Sequence, residues 1–361
     1  MRIRRWLKGS AYSIHLPQGC VHCARGGKLV LLVTGKCNSG CFYCPLSEKK
    51  KGKAVIYADE LLVKDNEDIL EEARLINATG TGVTGGDPLL RPSETARFIS
   101  LLKGEFGAKH HIHLYSGMAD VKAIKAVASS GLDEIRFHPP VSMWGKVEGS
   151  RFDAAVTASK DSGMDVGMEV PLIPGMESET HTLLDYASKA DLSFVNLNEL
   201  EFTETNWNEL RRRGFDVKGD ISSAAKGSQS MGLRLVADGP GGLPVHYCSS
   251  SFKDSIQLRR RITRRGRNIK RPLDLLTKDG TRVFGIIESK DPAATAQHLH
   301  EEFKVPNSLM EANVEMGRVE VAPWILAELA PELDEDSFII EEYPTADRLE
   351  VEREPVLVKR R

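Results

Sequence analysis

Hydrophobic and polar positions alternate between two periods through the middle of the chain. Residues 28–34 (KLVLLVT) form an apolar run of strand length bounded by glycine-rich turns, the pattern of a strand buried on both faces. An amphipathic stretch at 67–76 predicts a helix, and 79–84 predicts a strand that ends in the turn GGDP. The rhythm continues with helices at 93–103, 121–129, 151–162 and 179–187, and strands at 111–116, 134–137, 165–172 and 194–200. Such alternation implies parallel strands joined by right-handed crossovers. With about six units and no doubly wound nucleotide fingerprint, the expected fold is α/β, an incomplete TIM-like (β/α)6 barrel rather than an open sheet.

After Phe202 the rhythm changes. Residues 203–250 are rich in Gly and Ser, 251–270 are strongly basic, and 272–361 read as a small α+β domain. In that last part, strands are expected at 282–287, 337–341 and 348–352, and helices at 293–303 and 324–329. The expected organisation is therefore an N-terminal segment 1–27, a partial barrel 28–215, a barrel-closing segment 216–271 and an α+β domain 272–361.

Composition narrows the class only a little. With 361 residues and 41% hydrophobic content the chain can bury a core, and its net charge of −2 points to no partner. No window is apolar enough to cross a bilayer, and the basic N-terminus lacks the apolar run of a signal peptide, so a cytoplasmic protein without a membrane partner is expected.

The cysteines change the picture more. Five of the six lie in the first 44 residues, and in a reducing compartment such clustering points to metal rather than disulfides. Cys37, Cys41 and Cys44, spaced CxxxCxxC directly after the first predicted strand, can grip one face of an iron–sulfur cluster. Three protein ligands would leave one iron open, the condition for catalysis at a metal. A competing pattern pairs Cys20-x2-Cys23 with Cys41-x2-Cys44 as a zinc ribbon, but it leaves Cys37 and Cys248 unused and does not explain GGDP.

The spacing CxxxCxxC, the aromatic Tyr43 before its last cysteine, the strand ahead of the loop and the turn Gly85-Gly86-Asp87-Pro88 after the next strand resemble the radical S-adenosylmethionine (SAM) superfamily. The likeness covers roughly residues 28–202 and is nearest to archaeal proteins related to pyruvate formate-lyase activating enzyme, whose tail motif the stretch CSSSFKDSIQLRRR is similar to. It implies an enzyme whose [4Fe–4S] cluster, held by Cys37, Cys41 and Cys44, reductively cleaves SAM to a 5′-deoxyadenosyl radical that abstracts hydrogen from a substrate. It also implies that the Gly85–Pro88 turn contacts the methionine moiety, and that a reductase or a flavodoxin- or ferredoxin-like donor supplies electrons. Asp87 stands where that family usually carries Glu.

Polar residues at the C-terminal ends of the strands are further candidates. Asn196 and Asn198 share one strand face and could read the cofactor carboxylate or ribose, or satisfy neighbouring backbone. Glu169 interrupts an apolar strand as a ribose or substrate group, and Ser116 ends the third strand. Arg136 and His138 are either substrate groups or salt-bridged barrel residues. Cys20, Cys23 and Cys248, with His22 or His246 beside them, could form a second site holding zinc or an auxiliary iron–sulfur cluster, or remain free thiols. The basic run at 253–270 is a solvated face or an RNA footprint. The candidate substrates are accordingly RNA or a protein or peptide; the rival reading is a non-catalytic, metal-stabilised RNA-binding protein.

Overall fold

The computed structural model describes residues 3–219 and 222–356, which divide into two compact units, up to Leu258 and from Arg259 onward. The first unit begins with helix α1 (Gln18–Ala24) and continues as β1 (Lys28–Leu32), α2 (Asn66–Leu75), β2 (Gly80–Thr84), α3 (Pro92–Phe106), β3 (His111–Ser116), α4 (Val121–Ala128) and β4 (Glu134–Phe137). There follow α5 (Arg151–Asp161), β5 (Asp165–Leu172), α6 (Glu177–Lys189), β6 (Phe194–Glu199), α7 (Trp207–Arg212), α8 (Ser228–Asp238) and β7 (Val245–Cys248).

Strands β1 to β7 lie side by side in chain order, every neighbouring pair parallel. Short antiparallel strands flank them, Ala11–Tyr12 beside β7 and Tyr57–Ala58 beside β1. The curved sheet is a partial TIM-like barrel. The six expected βα units are present, and β7 extends them within a stretch that reads in sequence as Gly- and Ser-rich connection. Its four residues, VHYC, are too short and too polar to announce a strand; pairing with β6 makes them one.

Local chemistry sets the helix starts. Asp65 caps α2, its Oδ1 accepting from Glu67 N at 2.9 Å, while Asp68 reaches back to Asp65 N at 3.2 Å. Asp120 and Ser150 cap α4 and α5 in the same way. Strand alternation then separates two environments. Leu29, Leu31, Ile112, Leu114, Ile135, Phe137, Met168 and Leu197 are fully buried in one core with Phe98, Ile99, Ile124 and Leu183 from the helices. Each such side chain contributes about 1.5–3 kcal/mol by leaving water. The opposite strand faces carry His113, Tyr115, Glu134, Arg136, Glu169, Asn196, Asn198 and His246, which hydrogen-bond to one another inside the barrel.

The second unit opens with helix α9 (Arg259–Ile269) and continues as β8 (Arg282–Glu288), α10 (Pro292–Glu301), β9 (Met310–Asn313), β10 (Arg318–Val321), α11 (Pro323–Leu329), β11 (Ser337–Glu342) and β12 (Glu350–Pro355). The sheet is antiparallel in the order β9-β10-β8-β11-β12. Strands β9 and β10, MEAN and RVEV, carry charges that mask their alternation and escape a reading by pattern. The last strand starts at Glu350 rather than 348 because Arg348 sits in a left-handed turn at φ 47°. Under the sheet, Arg271, Arg282, Arg318 and Arg348 surround the Phe284 ring at 5.2–5.8 Å and pair with Asp274, Glu320 and Glu342. No helix among the described residues is long and apolar enough to cross a membrane.

Candidate active site

The three-cysteine loop leaves the C-terminal end of β1 and is anchored at three places. Gly35 N bonds to Lys53 O at 2.9 Å, closing the loop's base. The buried Tyr43 hydroxyl donates to His138 Nε2 at 2.9 Å, and His138 Nδ1 in turn donates to the Glu169 carbonyl at 2.7 Å. This assignment requires a neutral ring, consistent with burial holding the His138 pKa below its ordinary value. Asn206 and Thr205 then tie down the carbonyls of Tyr43 and Cys44. Ser39 N donates to Cys37 Sγ at 3.4 Å. Cys37 is exposed, and Cys41 and Cys44 are half-buried.

The GGDP turn packs against this loop. Gly86 N bonds to Thr34 O at 2.7 Å and Asp87 N to Lys36 O at 2.9 Å. A Cβ on Gly85 would stand 2.4 Å from Thr34 O, and one on Gly86 2.2 Å from Lys36 O. The glycines therefore let two backbones meet, a different reason from the close approach to a ligand that the sequence suggests, although both also face the cavity. Asp87 turns away. Its carboxylate is fully buried and accepts from Ser116 Oγ at 2.8 Å, Leu89 N at 3.0 Å and Gly117 N at 2.8 Å. Asp87 and the buried Pro88 lie behind the cavity wall, not on it.

The cavity measures about 630 Å³ and is lined by Cys37, Cys41, Tyr43, Cys44, Gly85, Gly86, Ser116, His138, Glu169 and Asn198. Asn196 does not line it. Instead it holds Glu169 Oε2 from behind at 2.8 Å, while Asn198 Nδ2 holds Oε1 at 2.8 Å. Burial alone would raise the Glu169 carboxyl. The Arg136 guanidinium and the two asparagine amides overcome that and hold it at about 2. Arg136 is thus a salt-bridged barrel residue and His138 a cavity residue, the two outcomes left open by sequence.

Other wall residues give little sign in sequence. Glu199, Glu201 and Lys253 line the cavity, and Lys253 Nζ is 2.7 Å from Glu201 Oε1. Lys253 reads in sequence as the start of the basic run; its position one turn beyond a strand's C-terminal end is the signal that could have set it apart. From Arg259 to Ile269 the run forms α9, whose Ile262, Arg265 and Gly266 are buried. Arg259 pairs with Asp279 at 3.0 Å, and Arg260, Arg261, Arg264 and Arg265 all have partners too. No three His, Cys, Asp or Glu side chains among the described residues converge closely enough to hold a single metal ion.

A strand, a three-cysteine loop and a double-glycine turn around one cavity define a radical SAM enzyme, and sequence comparison agrees: the radical SAM superfamily model matches residues 31–139. A second model, a domain of unknown function (DUF8061), matches residues 280–356 in the C-terminal unit. The chain is 38% identical over 364 residues to a Methanocaldococcus jannaschii protein provisionally named a glycyl-radical enzyme activating enzyme, covering 96% of this chain and 94% of that one. The chain belongs to that protein's family within the radical SAM superfamily, which implies a [4Fe–4S] cluster and SAM as cofactors. A catalytic class replaces the non-catalytic scaffold reading.

Solved structures align more loosely. Methylornithine synthase matches at TM-score 0.41 with 19% identity, over 58% of this chain and 62% of that one. SuiB of Streptococcus suis bound to SAM matches at 0.42 with 12% identity, over 62% and 50%. The enzyme anSMEcpe with bound AdoMet matches at 0.40 with 15% identity, over 58% and 59%. This chain spans less than two thirds of each, and all three scores are low, so the assignment rests on the sequence matches.

Proposed function

We propose that Cys37, Cys41 and Cys44 hold the [4Fe–4S] cluster, that Glu169 and Asn198 hold SAM across the cavity, and that the substrate is a polypeptide. One observation carries the site assignment: the three thiols, Gly85, Gly86 and the Glu169 carboxylate line a single cavity. Its volume lies within the range usual for small-molecule cofactor sites. The donor set fits, with three thiols on one loop and an ionised carboxylate facing them. When bound, the cluster and SAM supply a 5′-deoxyadenosyl radical able to take a hydrogen atom from substrate.

The chain's own residues orient and enclose. Glu169, ionised and braced by Arg136, Asn196 and Asn198, can accept from the ribose hydroxyls without moving. The Tyr43–His138–Glu169 chain ties the cysteine loop to β5, so that both halves of the site keep one spacing. The Ser39 N–H would support the Cys37 sulfur once it is bound to the cluster. Pro45, Leu46, Pro171 and Leu200 give the wall apolar surface that limits water. The polypeptide reading is supported by the relative's name, since a glycyl-radical enzyme is a protein substrate, and it carries with it a flavodoxin- or ferredoxin-like electron donor. The RNA reading has less to rest on, because Arg259, Arg260, Arg261, Arg264 and Arg265 of α9 already have partners within the protein.

The test is anaerobic. Reduced, reconstituted protein with SAM should form 5′-deoxyadenosine, and Cys37→Ala should abolish it. Deuterium should then pass into 5′-deoxyadenosine from glycine-deuterated protein extract; transfer from deuterated RNA instead would overturn the polypeptide reading.

A further inference from the structure

Beside the cavity, inside the barrel, lies a second set of thiols that the reaction above does not use. Helix α1 reaches the inner strand faces: Gly19 N donates to Glu134 Oε2 at 3.3 Å, and a Cβ at Gly19 would come within 2.5 Å of Arg136 Nη2. That approach carries Cys20 and Cys23, one helical turn apart, into the interior. From the other side, β7 ends in Cys248, on the same strand face as His246. Cys248 packs with Ala24, Phe252 and Trp6. All three thiols are unbridged, 7%, 9% and 4% exposed respectively, and none lines the cavity.

These groups share a polar environment. Cys20 Sγ is 3.5 Å from Arg136 Nη1 and 3.8 Å from Asn196 Oδ1. The same Asn196 oxygen is 2.5 Å from His246 Nδ1. His246 is 1% exposed, and its Nε2 has no hydrogen-bond partner among the described residues. A buried ring nitrogen without a partner is costly unless something binds it. Of the two histidines that sit beside these cysteines in the sequence, His22 is used up, Nδ1 by Thr79 Oγ1 at 2.7 Å and Nε2 by Gln18 at 3.2 Å. Lys28 is half-buried within electrostatic reach of Cys23.

Soft sulfur and imidazole donors brought together in a sealed interior, with cations beside them, suit a thiolate-bound metal centre. These donors do not converge on one point, as a single ion requires. Neither do Cys37, Cys41 and Cys44, and a cubane holds its thiolates at separate corners. We infer that Cys20, Cys23, Cys248 and His246 ligate a second iron–sulfur cluster, buried beside the SAM cavity and closed to substrate. Arg136 and Lys28 supply the positive charge that a thiolate-rich centre needs in a low-dielectric interior. With four protein ligands and no exposed position, this cluster has no site at which a substrate could bind. The structure thereby selects His246 over His22 as the fourth ligand.

The test separates this cluster from the one that cleaves SAM. In anaerobically purified Cys37→Ala/Cys41→Ala/Cys44→Ala protein, about half of the wild-type iron should remain, with an equal amount of acid-labile sulfide. Pulsed electron paramagnetic resonance of the reduced triple variant should show a strongly coupled imidazole nitrogen. Adding His246→Gln should remove that coupling, and adding Cys248→Ala should take iron below a tenth of wild type while far-ultraviolet circular dichroism is unchanged. The triple-variant measurement stands alone should either addition fail to fold. Iron-free triple variant, stoichiometric zinc without sulfide, a Cys20–Cys23 disulfide, or a cluster without nitrogen coupling would each overturn the inference.

Discussion

Arg136 Nη1 and Glu169 Oε2 stand 2.6 Å apart inside the barrel, on the neighbouring parallel strands β4 and β5. The pair joins the two halves of the interior. Toward the cavity, Arg136 keeps Glu169 ionised where a cofactor would meet it. Away from it, the same guanidinium contacts Glu134 and the sulfur of Cys20. A charge buried this deeply survives only because each of its neighbours answers it.

Glu169→Gln removes the charge but keeps the size. Losing a charge-assisted hydrogen bond costs about 1.5–3 kcal/mol, so SAM should bind roughly 10- to 100-fold more weakly. Equilibrium dialysis under anaerobic conditions measures this, with iron content unchanged. An unaltered Kd would remove Glu169 from the cofactor site.

Arg136→Met leaves Glu134 and Glu169 buried without their cation. Breaking a buried pair from one side costs about 3–5 kcal/mol, and the Tm of the first unit should fall by roughly 10 °C. Calorimetry reads it directly; a shift of only a degree or two would mean that the network contributes little.

Gly86→Ala places a Cβ 2.2 Å from the Lys36 carbonyl oxygen, backbone that cannot rotate away. The cysteine loop should shift, and the fraction of the three-cysteine cluster formed on reconstitution should fall several-fold. Gly104→Ala is the control: its Cβ meets nothing within 4 Å in the helix α3, and the change should be neutral or stabilising by about 0.5–1 kcal/mol.

Acid should unfold the C-terminal unit through Glu320. Burial would raise this carboxyl, but Arg271, with Arg348 and Arg318, overcomes it and holds the group at about 2 against an ordinary 4.5. The ionised form therefore favours the folded state. That stability is present above pH 4.5 and is lost as the pH falls from there through about 2, amounting to about 3 kcal/mol. Glu320→Gln should flatten the acid limb of the unfolding profile; an unchanged limb would place the effect elsewhere.

Much of this protein could be read directly from its sequence. Strands such as KLVLLVT carry their burial in their own residues, and the helices between them show a 3.6-residue period, so the βα order and the partial barrel follow from pattern alone. The cysteine loop is equally legible, because its three thiols lie within eight residues and need no long-range contact to be recognised. Tertiary structure decided what depends on pairing. VHYC becomes a strand only beside β6, and Lys253 becomes a cavity residue only because that strand ends beneath it. In sequence Asp87 follows a strand and Glu169 interrupts one, and both read as cofactor carboxylates. Only the folded chain turns one behind the wall, bonded to Ser116, and the other into the cavity, held by Arg136. Periodicity is a property of consecutive residues and survives in a string of letters. Which polar atoms meet across a barrel depends on strand order and register, and those exist only once the chain has folded.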